Sequence, residues 1–185
     1  IRVGHIADGA ASSTSNSYSG ISFTGITFQD NLLDNSGGGG AIGFVSTSGT
    51  ISSTIDKCIF TGNKAGATAS WSNTWYTGGA IGFGAGNTCT IRNSLFYENQ
   101  ARRHGAAISG NIDGGQTLNI YNCTFADNIS RYNDPGEFRS AALYVENTQY
   151  SAGTVNLENN IFYGTTSDGS SSQEDLATSN SYDYR

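Results

Sequence analysis

Apolar and polar residues alternate along this chain in short runs that recur five times. Each run ends on a phenylalanine, and its first position is always large and apolar. The five runs are residues 23–28, 55–60, 91–96, 120–125 and 157–162. A period of two is typical of a strand with one buried face, and these runs favour the Ile, Phe, Thr and Tyr of β-structure. The pattern therefore predicts strands rather than helices.

Two short phrases separate these strands. An F-x-x-N phrase stands at residues 28–31, 60–63, 96–99 and 125–128, with a degraded copy at 162–165. A G-G-A-I phrase, altered in its last two copies, stands at 39–42, 78–81, 105–108 and 140–143. The third position of each alternating run is Gly or Asn in four copies and Lys57 in the other. Because Gly and Asn tolerate tight bends, each repeat predicts a strand, a corner, a short strand, a second corner at the Asn and a third strand.

The phenylalanines follow one another at intervals of 29 to 37 residues. Constant strand phrases joined by segments of variable length are typical of a solenoid with surface loops. The sequence predicts an all-β fold, a right-handed parallel β-helix built as a single-stranded solenoid of about five or six coils. We expect the β-helix to cover residues 1–165 and an irregular polar tail to cover residues 166–185.

Stacked repeats predict ladders of equivalent side chains inside the coils. The first ladder contains the phenylalanines Phe28, Phe60, Phe96, Phe125 and Phe162. The second contains Phe23, Ile55, Ile91, Ile120 and Leu157, and the third contains Ile42, Ile81, Ile108 and Leu143. A structural ladder of amides is expected at the corner formed by Asn31, Asn63, Asn99 and Asn128. Cys58 and Cys123 share one repeat position two coils apart, so we predict buried fillers, like Cys89, rather than a disulfide or metal ligands.

The alternation of G-G-A-[ILV] with F-x-x-N resembles the repeat of the chlamydial polymorphic outer membrane proteins. The matching pairs are 39–42 with 60–63, 78–81 with 96–99, and 105–108 with 125–128. The third pair departs from the pattern because Ala106 replaces the second glycine. The resemblance covers residues 20–165 and implies a parallel β-helix of the kind found in adhesins and other extracellular fibres. No part of the chain resembles the transporter barrel of that family.

Composition excludes several functions. The 185-residue chain carries a formal net charge of −6, which disfavours nucleic acid because phosphates require a basic surface. No run of about 18 apolar residues exists, so no membrane span is predicted. The three cysteines give no disulfide framework, and we predict neither a metal nor a cofactor. Asn122 and Asn128 stand in N-x-S/T sequences and are candidate N-glycosylation sites.

Few residues suggest chemistry. Asp30, Glu98 and Asp127 each precede the Asn of an F-x-x-N phrase, so they form either a solvated row or a site for a cation or sugar. The 102–104 segment, Arg-Arg-His, reads as a solvated loop or as a general base with an anion clamp. Trp71, Trp75 and Tyr76 lie in one loop and are candidates for contact with a glycan or a partner, unless they fold back onto the coil.

Neither terminus shows a helical pattern that would cap the coils. The chain is therefore expected either to be cut from a longer solenoid or to stack head to tail on copies of itself. The leading hypothesis is a non-catalytic extracellular or cell-surface module for adhesion or fibre assembly, with no catalytic residue assigned. Its partners would be further copies, other surface proteins or glycans. The alternatives are a carbohydrate-active enzyme, which would need Asp30, Glu98, Asp127 and His104 in one groove, and a glycan-binding module.

Overall fold

The protein is a stack of strand-built coils. The computed structural model describes residues 17–34, 38–44, 50–66, 78–84, 86–102, 104–112, 115–131, 142–146, 153–167 and 176–178. All regular secondary structure assigned in these residues is β-strand, and the strands form four parallel sheets. In each sheet a strand pairs with its equivalents in the coils before and after it. This arrangement is a parallel β-helix, which confirms the predicted fold class.

The described residues form five coils of four strands each. Coil 1 contains β1 (Tyr18–Thr24), β2 (Thr27–Gln29), β3 (Leu32–Leu33) and β4 (Ile42–Phe44). Coil 2 contains β5 (Ile51–Asp56), β6 (Ile59–Thr61), β7 (Lys64–Ala65) and β8 (Ile81–Phe83). Coil 3 contains β9 (Asn87–Arg92), β10 (Leu95–Tyr97), β11 (Gln100–Ala101) and β12 (Ile108–Asn111). Coil 4 contains β13 (Thr117–Tyr121), β14 (Thr124–Ala126), β15 (Ile129–Ser130) and β16 (Leu143–Glu146). Coil 5 contains β17 (Thr154–Glu158), β18 (Ile161–Tyr163), β19 (Thr166–Ser167) and β20 (Leu176–Thr178).

Sheets 1 to 4 contain the first, second, third and fourth strands of the coils, respectively. Sheet 3 was not predicted, because the sequence indicated three strands per coil. Its strands are two residues long and directly follow the F-x-x-N corner. Two residues cannot show a period-two pattern, so only the pairing between coils defines this sheet.

The predicted ladders are confirmed. Phe28, Phe60, Phe96, Phe125 and Phe162 stack with ring centroids 4.7–4.8 Å apart and interplanar angles of 1–6°. That separation equals the distance of about 4.7–4.9 Å between neighbouring strands, so each ring lies directly on the next. The second ladder from Phe23 to Leu157 and the third from Ile42 to Leu143 are also in register. Together these columns fill the interior of the solenoid.

The G-G-A-I glycines stand where the chain folds tightly before sheet 4. A Cβ on Gly78 would lie 1.8 Å from the Ile81 carbonyl oxygen, and one on Gly79 would lie 1.9 Å from that of Ala106. Any side chain at these positions would displace backbone. Ala80 follows them and is fully buried. Glycine is therefore required at positions 78 and 79 of this phrase because backbone approaches backbone closely at this corner.

Strand pairing continues beyond residue 165, where the sequence predicted that the β-helix would end. Strand β19 pairs with β15, and β20 pairs with β16. Both strands lie in the segment predicted to be an irregular tail. The prediction failed there because Ser- and Asp-rich sequence hides three-residue and two-residue strands whose pairing depends on the coil beneath them.

Candidate functional site

The second corner of each coil, between sheets 2 and 3, is built by two residues with opposite roles. The first has a left-handed backbone with φ of 52–65° in all five coils, and the second turns its side chain inward. The left-handed residues are Asp30, Gly62, Glu98, Asp127 and Gly164. Aspartate tolerates this conformation better than most residues, which fits two of these positions. The corner thus carries a column of acidic or glycine positions on its outer side.

Three carboxylates of this column line one lateral groove. The groove has a volume of about 480 Å³, and Asp30, Glu98 and Asp127 line it together with Lys64 and Gln100. Ile129, Arg131, Thr166 and the two corner glycines complete its lining. The structure therefore brings the three predicted carboxylates to one face.

The two glycines explain how the carboxylates are placed. A Cβ on Gly62 would lie 2.4 Å from Asp30 Oδ1, and one on Gly164 would lie 2.2 Å from Asp127 Oδ1. Each aspartate therefore leans over the glycine of the next coil. A larger residue at either glycine would displace the carboxylate as well as strain the corner.

The opposite wall of the groove consists of basic and amide side chains from sheet 3. Lys64, Gln100 and Ile129 occupy one register position in successive coils. With its amide oxygen facing Arg131, Gln100 accepts hydrogen bonds from Nε at 2.5 Å and Nη2 at 3.1 Å. This wall was not predicted from the sequence. The signal was available, since Lys64 and Gln100 each directly follow the Asn of an F-x-x-N phrase.

Tyr97 directly precedes Glu98, which lines the groove. Its hydroxyl hydrogen-bonds to Glu98, and this bond, together with the negative charges of Glu98 and Asp127, raises the pKa of Tyr97. The direction is as expected, because ionised tyrosine would repel both carboxylates.

His104 is not part of this groove, although the enzyme hypothesis required it there. The imidazole is 1% exposed and stacks on Tyr144, with ring centroids 4.4 Å apart. The 102–104 segment was predicted to be a solvated loop or a base with an anion clamp. His104 is instead a packed residue, since its stacking partner in the next coil covers it. Arg103 lies outside the described residues.

The predicted asparagine ladder is confirmed at the second corner. Asn63, Asn99 and Asn128 are fully buried, and each Nδ2 donates to a phenylalanine carbonyl of the preceding coil. Asn31, Asn63 and Asn99 also donate from Nδ2 to the Oδ1 of the next asparagine at 2.8–3.0 Å. The same Oδ1 accepts the preceding asparagine's backbone N–H. The ladder stops at Thr165, whose buried hydroxyl lacks a hydrogen-bond partner.

The first corner, between sheets 1 and 2, carries a second ladder of mixed chemistry. The backbone N–H of Cys58 donates to Ser94 Oγ at 3.1 Å. The Ser94 backbone hydrogen-bonds to the Cys123 sulfur, and the Cys123 N–H donates to Asn160 Oδ1 at 2.9 Å. The acceptor role that Ser94, Cys123 and Asn160 share towards the coil before was not predicted from the sequence.

The cysteines are buried free thiols, as predicted. Burial raises the pKa of Cys89 to about 12 and that of Cys123 to about 11. Such thiols are poor nucleophiles at neutral pH. In the described part of the chain, no group of three or more His, Cys, Asp or Glu side chains could hold a metal ion.

The two candidate glycosylation sites differ. Asn122 is exposed at the first corner, with a left-handed backbone at φ 53°. Asn128 is fully buried, and its Nδ2 donates to Phe96 O. A glycan on Asn128 is therefore incompatible with the folded coil, and that prediction is corrected.

The remaining described residues add no further candidate site. Trp71, Trp75 and Tyr76, predicted as contacts for a glycan or a partner, lie outside the described residues. No described helix is long and apolar enough to cross a membrane. Comparisons with protein-family models, curated proteins and solved structures returned no match.

Proposed function

We propose that the protein is a non-catalytic extracellular or cell-surface β-helix module that serves adhesion or assembles into a fibre through its ends. In this proposal it is related in repeat type to the polymorphic outer membrane proteins, as the sequence phrases suggest. Its partners are further copies, bound head to tail, or other surface proteins. Asn122, the exposed sequon, would carry any attached glycan.

The observation that supports assembly is the open edge of coil 5. Phe125 and Ile120 of coil 4 are fully buried, whereas their equivalents Phe162 and Leu157 are only partly buried. In the described residues no strand pairs with the outer edge of β17, β18 or β19. A strand edge above a partly exposed core favours addition of another strand.

A second copy offers a matching surface at the other end. Strands β1, β2 and β3 likewise have one unpaired edge in the described residues, and Phe28 belongs to the same ladder as Phe162. Coil 1 of one molecule stacked on coil 5 of another would continue the phenylalanine column. Such a contact joins different surfaces and therefore generates an open filament.

Sedimentation and electron microscopy across a wide concentration range test this proposal. We expect growing assemblies, and we expect Phe162→Lys to prevent them by placing a charge in the end contact. The control is Tyr163→Lys on the same strand, because Tyr163 is 68% exposed and points away from the coil interior. A strict monomer at every concentration, or equal assembly of the two variants, would contradict the proposal.

A carbohydrate-related function is the second candidate, and the lateral groove favours it. Asp30, Glu98 and Asp127 share the groove, but the buried His104 does not join them. A hydrolase or lyase at this position would therefore depend on carboxylates alone. Incubation with polysaccharides and measurement of new reducing ends tests that version, and loss of turnover in Glu98→Gln would support it. For a glycan-binding module using Trp71, Trp75 and Tyr76, unchanged binding after Trp71→Ala and Trp75→Ala would contradict the hypothesis.

A further inference from the structure

The lateral groove contains opposite charges that do not neutralise one another. Asp30, Glu98 and Asp127 occupy one column, while Lys64 and Arg131 reach the groove from sheet 3. In the described residues, Arg92 and Asp56 on sheet 1 form an ion pair at 3.2 Å. No described ion pair joins a carboxylate of the groove to Lys64 or Arg131. The carboxylate acceptors of the groove are thus not paired with the cationic donors Lys64 and Arg131.

Rigid backbone accounts for that separation. The acidic column sits on left-handed corner residues. Lys64 lies two residues after the corner residue Gly62, on β7, and Arg131 lies four residues after Asp127, directly after β15. Both elements are fixed by hydrogen bonds between coils, such as Lys64 N to Asn31 O at 2.8 Å and Arg131 N to Ala101 O at 2.8 Å. The backbones of the two walls therefore keep a fixed spacing.

The chemistry of the two walls restricts the ligand. An anionic ligand would meet the three carboxylates, and a cationic ligand would meet Lys64 and Arg131. A neutral polyhydroxyl ligand avoids both repulsions, because each hydroxyl group donates to a carboxylate and accepts from an ammonium, guanidinium or amide group. Hydrogen bonds to charged groups are stronger than those between neutral groups.

The dimensions favour an extended molecule. Asp30 and Asp127 are three coils apart, which corresponds to about 14 Å at the spacing of parallel strands. The volume of about 480 Å³ falls within the range of about 300–1,000 Å³ for small-molecule sites. Tyr97 lies beside Glu98 and is only partly buried, which leaves part of an aromatic ring at this edge for an apolar sugar face.

We propose that the lateral groove binds a neutral oligosaccharide along the solenoid axis. The carboxylates of Glu98 and Asp127 accept hydrogen bonds from sugar hydroxyls, and Lys64 and Arg131 donate to sugar oxygens. This site lies on the side of the coil stack and is independent of contacts at its ends. It also differs from the aromatic loop that contains Trp71 and Trp75.

Calorimetric titration of the intact chain tests the assignment. The probes are neutral hexasaccharides of glucose, mannose and N-acetylglucosamine, together with an anionic galacturonate hexamer and a cationic glucosamine hexamer. We expect at least one neutral probe to bind and both charged probes to bind more weakly. Glu98→Gln and Asp127→Asn should each weaken binding about tenfold, the loss expected for a hydrogen bond to a charged group.

Asp56→Asn serves as the matched control. Asp56 is a surface carboxylate at the first corner, held by Arg92 and Asn93 outside the groove. Its substitution should leave the affinity unchanged, and circular dichroism would show whether each variant keeps the wild-type fold. The proposal is overturned if no neutral hexasaccharide binds at millimolar concentration, if a charged probe binds best, or if the groove variants bind like Asp56→Asn. Loss of filaments in Phe162→Lys with unchanged sugar binding would separate this site from the end contacts.

Discussion

The two corners of each coil share one backbone conformation and differ in the side chains that stabilise it. In both, a left-handed residue precedes a residue whose side chain turns inward and accepts a backbone N–H from the coil before. The second corner uses asparagine in four coils, whereas the first uses Cys58, Ser94, Cys123 and Asn160.

The difference lies in what each side chain can donate. An amide carries a donor and an acceptor on separate atoms, so Asn99 links coil 3 to both neighbouring coils. Ser94 and Cys123 accept from the coil before, but their hydroxyl and thiol donate within their own coil, to Arg92 O and Tyr121 O. Two other first-corner side chains donate to the coil before: Asn160 Nδ2 to Ile120 O at 2.8 Å and Cys58 Sγ to Phe23 O at 3.6 Å. The number of hydrogen bonds between coils at a corner therefore depends on whether its side-chain donor reaches a neighbouring coil.

The largest effect should come from the middle of the asparagine ladder. Asn99→Ala removes four hydrogen bonds and leaves the buried Asn63 N–H without an acceptor. We expect the free energy of unfolding to fall by about 3 kcal/mol. Urea denaturation measures this free energy. A loss smaller than that caused by Ser94→Ala at the first corner would contradict the ranking of the two corners.

Alkaline pH should separate the corners next, because only the first contains a thiol. The folded protein keeps the Cys123 proton up to a pKa of about 11, whereas a thiol in the unfolded chain ionises near its ordinary pKa of 9.0. Stability is therefore full below about pH 9 and falls by about 1.4 kcal/mol per pH unit towards about pH 11. The difference between wild type and Cys123→Ser in urea titrations isolates this contribution, and parallel pH profiles would argue against it.

A smaller loss is expected for Ser94→Ala. The substitution deletes one oxygen and leaves the Cys58 N–H without its acceptor. A single unsatisfied buried donor costs about 1–2 kcal/mol. Thermal and urea unfolding of this variant, compared with Asn99→Ala, give the ratio of the two ladders directly. Equal losses would mean that the additional amide donor contributes nothing.

The smallest effect should be a gain at Lys57. This lysine has a left-handed backbone with φ of 55° at the first corner, where the other four coils have Gly or Asn. Lys57→Asn should raise the free energy of unfolding by about 0.5–1 kcal/mol, because Asn tolerates this conformation. Lys64→Asn, at an ordinary strand position, is the control and should show no gain. A similar gain in the two variants would point to charge rather than backbone strain.

The sequence predicted the coils, the phenylalanine column and the asparagine ladder, because identical residues recur at each of those positions. It did not predict sheet 3, since a strand such as Lys64–Ala65 is too short to show a pattern. The first-corner ladder was also missed, because Ser94, Cys123 and Asn160 share an acceptor role rather than a residue type. In the groove, the carboxylates were identified in the sequence. Their opposition to Lys64 and Arg131 follows only from strand register.

The equivalence of successive coils makes the length of this solenoid adjustable. Asn63 faces Asn99, and Asn99 faces Asn128, through the same pair of hydrogen bonds. Excision of coil 3 would place Asn63 against Asn128 and Phe60 against Phe125, so the asparagine and phenylalanine ladders would keep their contacts. At the first corner, Cys123 would replace Ser94 as the neighbour of Cys58. Gain or loss of whole coils, each about 4.8 Å tall, is thus a route by which such a protein changes its reach without redesigning its interior.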